Sequence, residues 1–149
     1  MAEAAGQSKL PGRDEMIGRI DALVEDGRHA AVLIVEVAGF DQLLAVDESD
    51  AGAVVREVEK RLDRLVRGRD ALGFVEPARF VLGCPALPVE AAGGLAERIR
   101  GGAALPVDVA GESLSLTLDI GMAFSDGKSD GLGLLEAAEA DLERSRPKG

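Results

Sequence analysis

The sequence predicts a single-domain α+β sandwich, a central mixed and mostly antiparallel sheet flanked by helices. Three observations carry this. Residues 30–37 read AAVLIVEV, a nearly unbroken run of branched apolar side chains that marks a central strand buried on both faces. Residues 113–120 read SLSLTLDI, whose strict alternation gives a strand one buried and one polar face. Segments of helical periodicity lie between the strands, and that interleaving builds one layered domain around one core. A chain of 149 residues is long enough to bury such a core without metals or disulfides.

Taken in order, residues 1–9 are small and polar and read as a frayed or expression-derived terminus, with the folded domain spanning 10–149. A helix is expected from near Pro11, since proline suits an early helical position where its missing N–H is not needed. Met16, Ile20, Leu23 and Val24 fall on one face of it, and Asp26-Gly27 ends it. After the strand at 30–37, Gly39-Phe40 breaks the chain, and a short helix at 41–45 and a longer one at 50–66 follow. Val54, Val58, Leu62 and Leu65 point inward from the longer helix. Strands at 71–75 and 79–82 form a hairpin around Glu76-Pro77-Ala78, where proline requires an unusual turn or an edge position. A helix at 89–99 is weakened by Gly93-Gly94. Val107 and Val109, a turn at 110–112 and the strand at 113–120 make a second hairpin. A loop at 126–131 leads to a closing helix at 132–145, with Leu135, Ala138 and Leu142 inward.

Composition narrows the function. With 17 Lys and Arg against 27 Asp and Glu the formal net charge is −10, which disfavours a general nucleic-acid binder. A single Cys (Cys84) and a single His (His29) exclude a disulfide and the common zinc sites. No apolar run approaches the roughly 18 residues a membrane span needs, and the first residues have no secretory pattern. A soluble cytoplasmic domain is expected.

Six segments in order and at matching spacing resemble a GGDEF domain, the diguanylate cyclase fold. LPGR at 10–13 resembles the LPNR that opens the family's first helix, and VEVAGF at 35–40 sits where the family has a DxDxF-type strand end. ARFVLGCP at 78–85 resembles the strand leaving the signature loop. LAERIR at 95–100 resembles the next helix, DIGMAF at 119–124 the SIGVA strand, and AEADLERSR at 138–146 the closing ADxALYxAK. The signature loop itself reads Glu76-Pro77-Ala78-Arg79-Phe80 and keeps only the Phe. In the family the two glycines admit the triphosphate and the acid after them helps hold Mg²⁺. Pro77 has a fixed φ and no N–H to offer, and Ala78 cannot ligate. The first metal aspartate corresponds to Glu36, the guanine-contacting Asn and Asp to Leu44 and Ala53, and the late phosphate-contacting Lys to Arg146. Phosphoryl transfer takes most of its rate from metal and positioned charge. The resemblance therefore implies a degenerate GGDEF domain without cyclase activity, metal or cofactor.

The same resemblance implies a ligand. Family members often carry an inhibitory product site (I-site) for cyclic di-GMP, an RxxD motif five residues before the signature loop. Arg67-Gly68-Arg69-Asp70 stands at that offset, and the further Arg that completes the site in well-known members falls on Arg98. A guanidinium can fork onto the O6/N7 edge of guanine or bridge to phosphate, and Asp70 can accept from the base's N1–H and N2–H₂. Arg64, Arg69 and Arg100 are accessory candidates. Six of the 17 basic residues, Arg56, Lys60, Arg61, Arg64, Arg67 and Arg69, lie within 14 positions, a local attraction for a dianion in an acidic chain.

Plainer readings stand beside these. Arg67 and Asp70 could form a surface ion pair, and the basic run, interleaved with Glu57, Glu59 and Asp63, could be a solvated helix face. Glu36 is expected near water or paired with a cation, Cys84 in the core and His29 at the surface. The expected function is a cyclic di-GMP receptor that also engages a protein partner or a second copy of itself. The alternative is a nucleotide-independent dimerisation or protein-interaction module. A weak cyclase, or a GTP-binding allosteric domain using Glu36, is the third reading.

Overall fold

The structure is a computed structural model that describes residues 9–125 and 127–145. Its centre is β1 (Ala30–Val37), flanked on one side by β3 (Arg79–Pro85) and then β2 (Ala71–Val75), and on the other by β6 (Leu118–Phe124). Every pairing in this four-stranded sheet is antiparallel. The sequence of β1 explains its place. Leu33, Val35 and Val37 enter one core with Val54, Val58, Leu62 and Ile99, while Val32 and Ile34 enter a second core with Met16, Ile20, Leu135 and Leu142. A strand with a core on each face has no polar side to show, so its pattern is continuous rather than alternating.

Two helices cover each face. α3 (Glu48–Leu65) and α4 (Val89–Ala103) pack on the first core. α1 (Arg13–Leu23) and α5 (Gly131–Ser145) pack on the second. Asp47 caps α3, its carboxylate accepting the Asp50 N–H at 3.0 Å. The short α2 (Phe40–Val46) enters through Gly39, whose φ of 74° is the left-handed conformation that favours glycine. In α4, Ala92, Ala96, Ile99 and Ala103 form the buried stripe, and Gly93 and Gly94 lie on the open face. The glycines weaken helix propensity without leaving a hole in the packing, and the helix runs past the expected end at 99.

Two expectations change. β3 extends to Pro85 rather than 82, because it pairs with β1 from Ala30, opposite Pro85, to Glu36, opposite Arg79. The expected strand at 113–120 is two strands. β5 (Glu112–Leu114) pairs with β4 (Val107–Val109) in a separate two-stranded sheet, residues 115–117 belong to neither ladder, and β6 begins at Leu118 and runs to Phe124 against β1. Alternation survives the break because Leu114 and Leu116 pack against the same core as Leu118 and Ile120. Alternation reports which way side chains face, whereas the ladder depends on a partner, and β4 is only three residues long. Residues 1–8 and Arg146 lie outside the described residues, and among the described residues no helix is long and apolar enough to cross a membrane.

Candidate functional site

The chain enters the first candidate site where α3 ends. Arg67-Gly68-Arg69-Asp70 is a tight turn closed twice. The Asp70 N–H donates to the Arg67 carbonyl at 2.8 Å, and the Arg67 N–H donates to Asp70 Oδ2 at 2.9 Å. The motif's aspartate is thus fixed by the turn it closes and contacts the Arg67 backbone instead of its guanidinium. The turn delivers the chain into β2, and α4 lies beside it. Between them is a cleft of about 510 Å³ with Arg67, Arg69, Asp70 and Arg98 on its polar side and Leu65, Leu87 and Leu95 as apolar walls. Residues remote in sequence converge here because β2 and α4 flank the same end of the fold.

Among the described residues, Arg67, Arg69 and Arg98 make no ion pair, whereas Lys60 and Arg61 on α3 pair with Glu57 and Arg100 on α4 pairs with Glu97. Cys84 lines the cleft as a buried thiol whose pKa is pushed up to about 12, first by burial and then by the charge of Asp70. Of the accessory candidates, Arg69 lines this cleft, whereas Arg64 is not among its lining residues. Arg100, two positions and so roughly 200° around the helix from Arg98, lines a different cleft with Leu118 and Asp119 and pairs with Glu97 at 3.1 Å.

Arg61 is a residue that sequence reasoning filed with the basic run. Its Nε donates to Glu57 at 3.0 Å, and its Nη atoms donate to the carbonyls of Ala103 at 3.2 Å, Leu105, and Pro106 at 2.9 Å. Its charge satisfies the carbonyls at the C-terminal end of α4, where a cation is favoured. It ties together the two helices that flank the cleft. No sequence signal separated it from the arginines around it.

A second cleft, about 550 Å³, opens at the other end of the sheet between the end of β1, the start of α2 and the β2–β3 turn. Glu36 sits between Arg79 on β3 and Asp119 on β6 in strand register. Arg79 Nε donates to Glu36 at 2.7 Å and its Nη2 to Glu143 at 3.0 Å, so Glu36 is paired with a cation of its own chain. Ala78 is buried, and its carbonyl accepts the Val37 N–H at 3.1 Å. The Glu76–Pro77 peptide bond in the turn is cis, and β2 is an edge strand. Leu44, on α2, is 37% exposed, and Ala53 is half-buried in α3. These groups do not suit a divalent cation. Glu36 is engaged by a guanidinium and the Ala78 side chain has no ligating atom, and among the described residues no three His, Cys, Asp or Glu side chains cluster suitably. His29 is exposed, with Nδ1 3.3 Å from the Ser125 carbonyl oxygen.

No protein-family model matches the chain, and no curated protein does. Solved structures do. The GGDEF domain of PA1120 (TpbB or YfiN) from Pseudomonas aeruginosa superposes with a TM-score of 0.84 at 21% identity, covering 91% of this chain and 84% of that one. The GGDEF domain of DgcB from Caulobacter crescentus, solved in complex with c-di-GMP, gives 0.80 at 19% identity, covering 93% and 86%. Diguanylate cyclase SiaD from Pseudomonas aeruginosa, solved with its activator SiaC, gives 0.82 at 24% identity, covering 95% of this chain and 55% of that one. The chain therefore has the fold of GGDEF domains.

Proposed function

We propose that this GGDEF-fold domain is a receptor for cyclic di-GMP that does not synthesise it, and that the Arg67–Asp70 turn and Arg98 form the binding site. The observation that carries the reading is the convergence of Arg67, Arg69, Asp70 and Arg98 on one cleft with all three guanidinium groups outside any ion pair among the described residues. A planar guanidinium matches the O6/N7 edge of guanine or a phosphate. Asp70 uses Oδ2 on the turn, leaving Oδ1 to accept from guanine N1–H or N2–H₂. The apolar walls can cover a purine face. Binding of cyclic di-GMP by the DgcB domain, which shares the fold, supports the choice of ligand. The complex of SiaD with its activator gives a precedent for a GGDEF-fold protein with a protein partner.

The other half of the reading is the absence of cyclase chemistry. Its support is the Arg79 guanidinium bonded to Glu36 and the lack of a ligating atom in the Ala78 side chain. Incubation with GTP and Mg²⁺ is expected to release no pyrophosphate, and turnover would overturn this half alone.

Calorimetric titration of cyclic di-GMP into the wild type, Arg67→Ala and Arg98→Ala tests the receptor. Loss of one charge-assisted contact costs about 1.5–3 kcal/mol, so each variant is expected to bind roughly 10- to 100-fold more weakly. Both side chains are exposed, and neither change should disturb the fold. Unchanged affinity in both variants would sink the site. No binding by the wild type would leave the nucleotide-independent interaction module in its place.

A further inference from the structure

We propose that Arg61 is a positioning residue of the cyclic di-GMP cleft: it fastens the end of α4 to α3 and so sets the spacing between Arg98 and the Arg67–Asp70 turn before a ligand arrives. The role rests on the receptor reading of that cleft and adds to it a residue outside the cleft lining.

The placement of the two binding arginines depends on their backbones. Arg67 and Arg98 are exposed and make no ion pair among the described residues, so no carboxylate holds either guanidinium in place. Whether both can reach one ligand is set by the distance between the turn that follows α3 and the helix α4. A hydrogen bond weakens steeply once its geometry is lost, so two guanidinium groups on one ligand tolerate little error in that distance.

Apolar packing constrains α4 only in part. Its buried stripe is Ala92, Ala96, Ile99 and Ala103, with Ile99 the one large side chain. Small side chains let a helix lie close to its neighbours but interlock with them little, and they resist sliding or rotation weakly. The directional contacts come from Arg61, which is 15% exposed on α3. Glu57 holds its Nε at 3.0 Å, while Nη1 donates to the carbonyls of Ala103 at 3.2 Å and Leu105, and Nη2 to that of Pro106 at 2.9 Å. The donors of a guanidinium are fixed relative to one another, so bonds to three carbonyls define an orientation as well as a distance. Those carbonyls lie where α4 ends and its own N–H groups no longer supply partners.

Both ends of this clamp are close to the cleft. Leu65, one turn beyond Arg61 on the same side of α3, is an apolar wall of the cleft and lies beside Gly102 of α4, where an added Cβ would meet it at 3.8 Å. Arg98 precedes Ala103 by roughly 7.5 Å of helix. A shift at the end of α4 is therefore carried to Arg98 by continuous helical backbone.

A double-mutant cycle tests the role. Cyclic di-GMP is titrated calorimetrically into the wild type, Arg61→Ala, Arg98→Ala and the double variant, at a temperature where melting curves show all four folded. Arg61→Ala is expected to weaken binding roughly five- to tenfold in the wild type and by less than about twofold once Arg98 is absent, because nothing is then left to position. Arg61→Lys, which keeps a cation at the carbonyls without the fork, is expected to fall between wild type and Arg61→Ala, and it takes the place of Arg61→Ala in the cycle if that variant does not fold. An equal loss in both backgrounds would overturn the role, since a general loosening of the fold or a long-range charge effect acts whether or not Arg98 is present. Affinity unchanged by either Arg61 substitution would overturn it as well, and would leave the receptor reading standing. No binding by the wild type would overturn the receptor reading and this role with it.

Discussion

Cys84 shows what one residue's surroundings do to its chemistry. It is 3% exposed in β3, and burial first and the Asp70 charge second push its pKa from an ordinary 9.0 up to about 12. Below pH 9 the thiol is protonated in folded and unfolded chains alike and adds no pH dependence. Between about 9 and 12 the unfolded chain loses the proton and the folded chain keeps it, so stability falls as pH rises. Urea unfolding from pH 8 to 10.5 is expected to show a steeper loss in the wild type than in Cys84→Ala. A native-state thiol that alkylates at pH 8 as fast as a free cysteine would contradict the burial. The core placement of Cys84 and the surface placement of His29 were legible from residue type and neighbours. The Arg79–Glu36 pair was legible only as a cation partner of unknown identity, because strand register, which brings position 79 opposite 36, is not written locally.

At the scale of elements, the sequence pattern located the five α-helices of the described residues but could not give strand partners, which is why the 113–120 run read as one strand. The site followed the same division. The Arg67–Asp70 turn and Arg98 could be named by their spacing to the signature loop, but the accessory candidates Arg64, Arg69 and Arg100 could be sorted only by seeing which of them lines the cleft. Glycines in the sheet were also silent in sequence. Gly121 of β6 lies against α5, where an added Cβ would sit 2.4 Å from the Ala138 carbonyl oxygen and 2.5 Å from the Leu142 nitrogen. Those atoms are helix backbone and cannot swing aside, so α5 would have to lift from the sheet. Gly121→Ala is expected to destabilise by about 3 kcal/mol, the upper end of overpacking costs, while Gly93→Ala, with open space around it, should be neutral or mildly stabilising. Paired urea-unfolding midpoints check both, and a Gly121→Ala midpoint equal to wild type would refute the close approach of α5.

Across the whole molecule the charge is polarised along the sheet. The arginine cleft lies where β2 begins and the acidic cleft where it ends, so the two are separated by roughly 20 Å of strand. That distance exceeds the Debye length of about 8 Å at physiological ionic strength and is less than the roughly 30 Å at 0.01 M salt. At 0.15 M, a dianion in the arginine cleft is influenced mainly by the guanidinium groups that touch it. At 0.01 M it is also influenced by the acidic cleft and by the net charge of −10, both of which repel it. Dilution of the salt therefore strengthens the attraction of the guanidinium groups and the repulsion by the rest of the molecule together, and lowering it from 0.15 to 0.01 M is expected to change the affinity for cyclic di-GMP little. Calorimetry of cyclic di-GMP at both salt concentrations reads this directly. A gain of about tenfold or more at low salt would refute the opposing pull of the acidic charge.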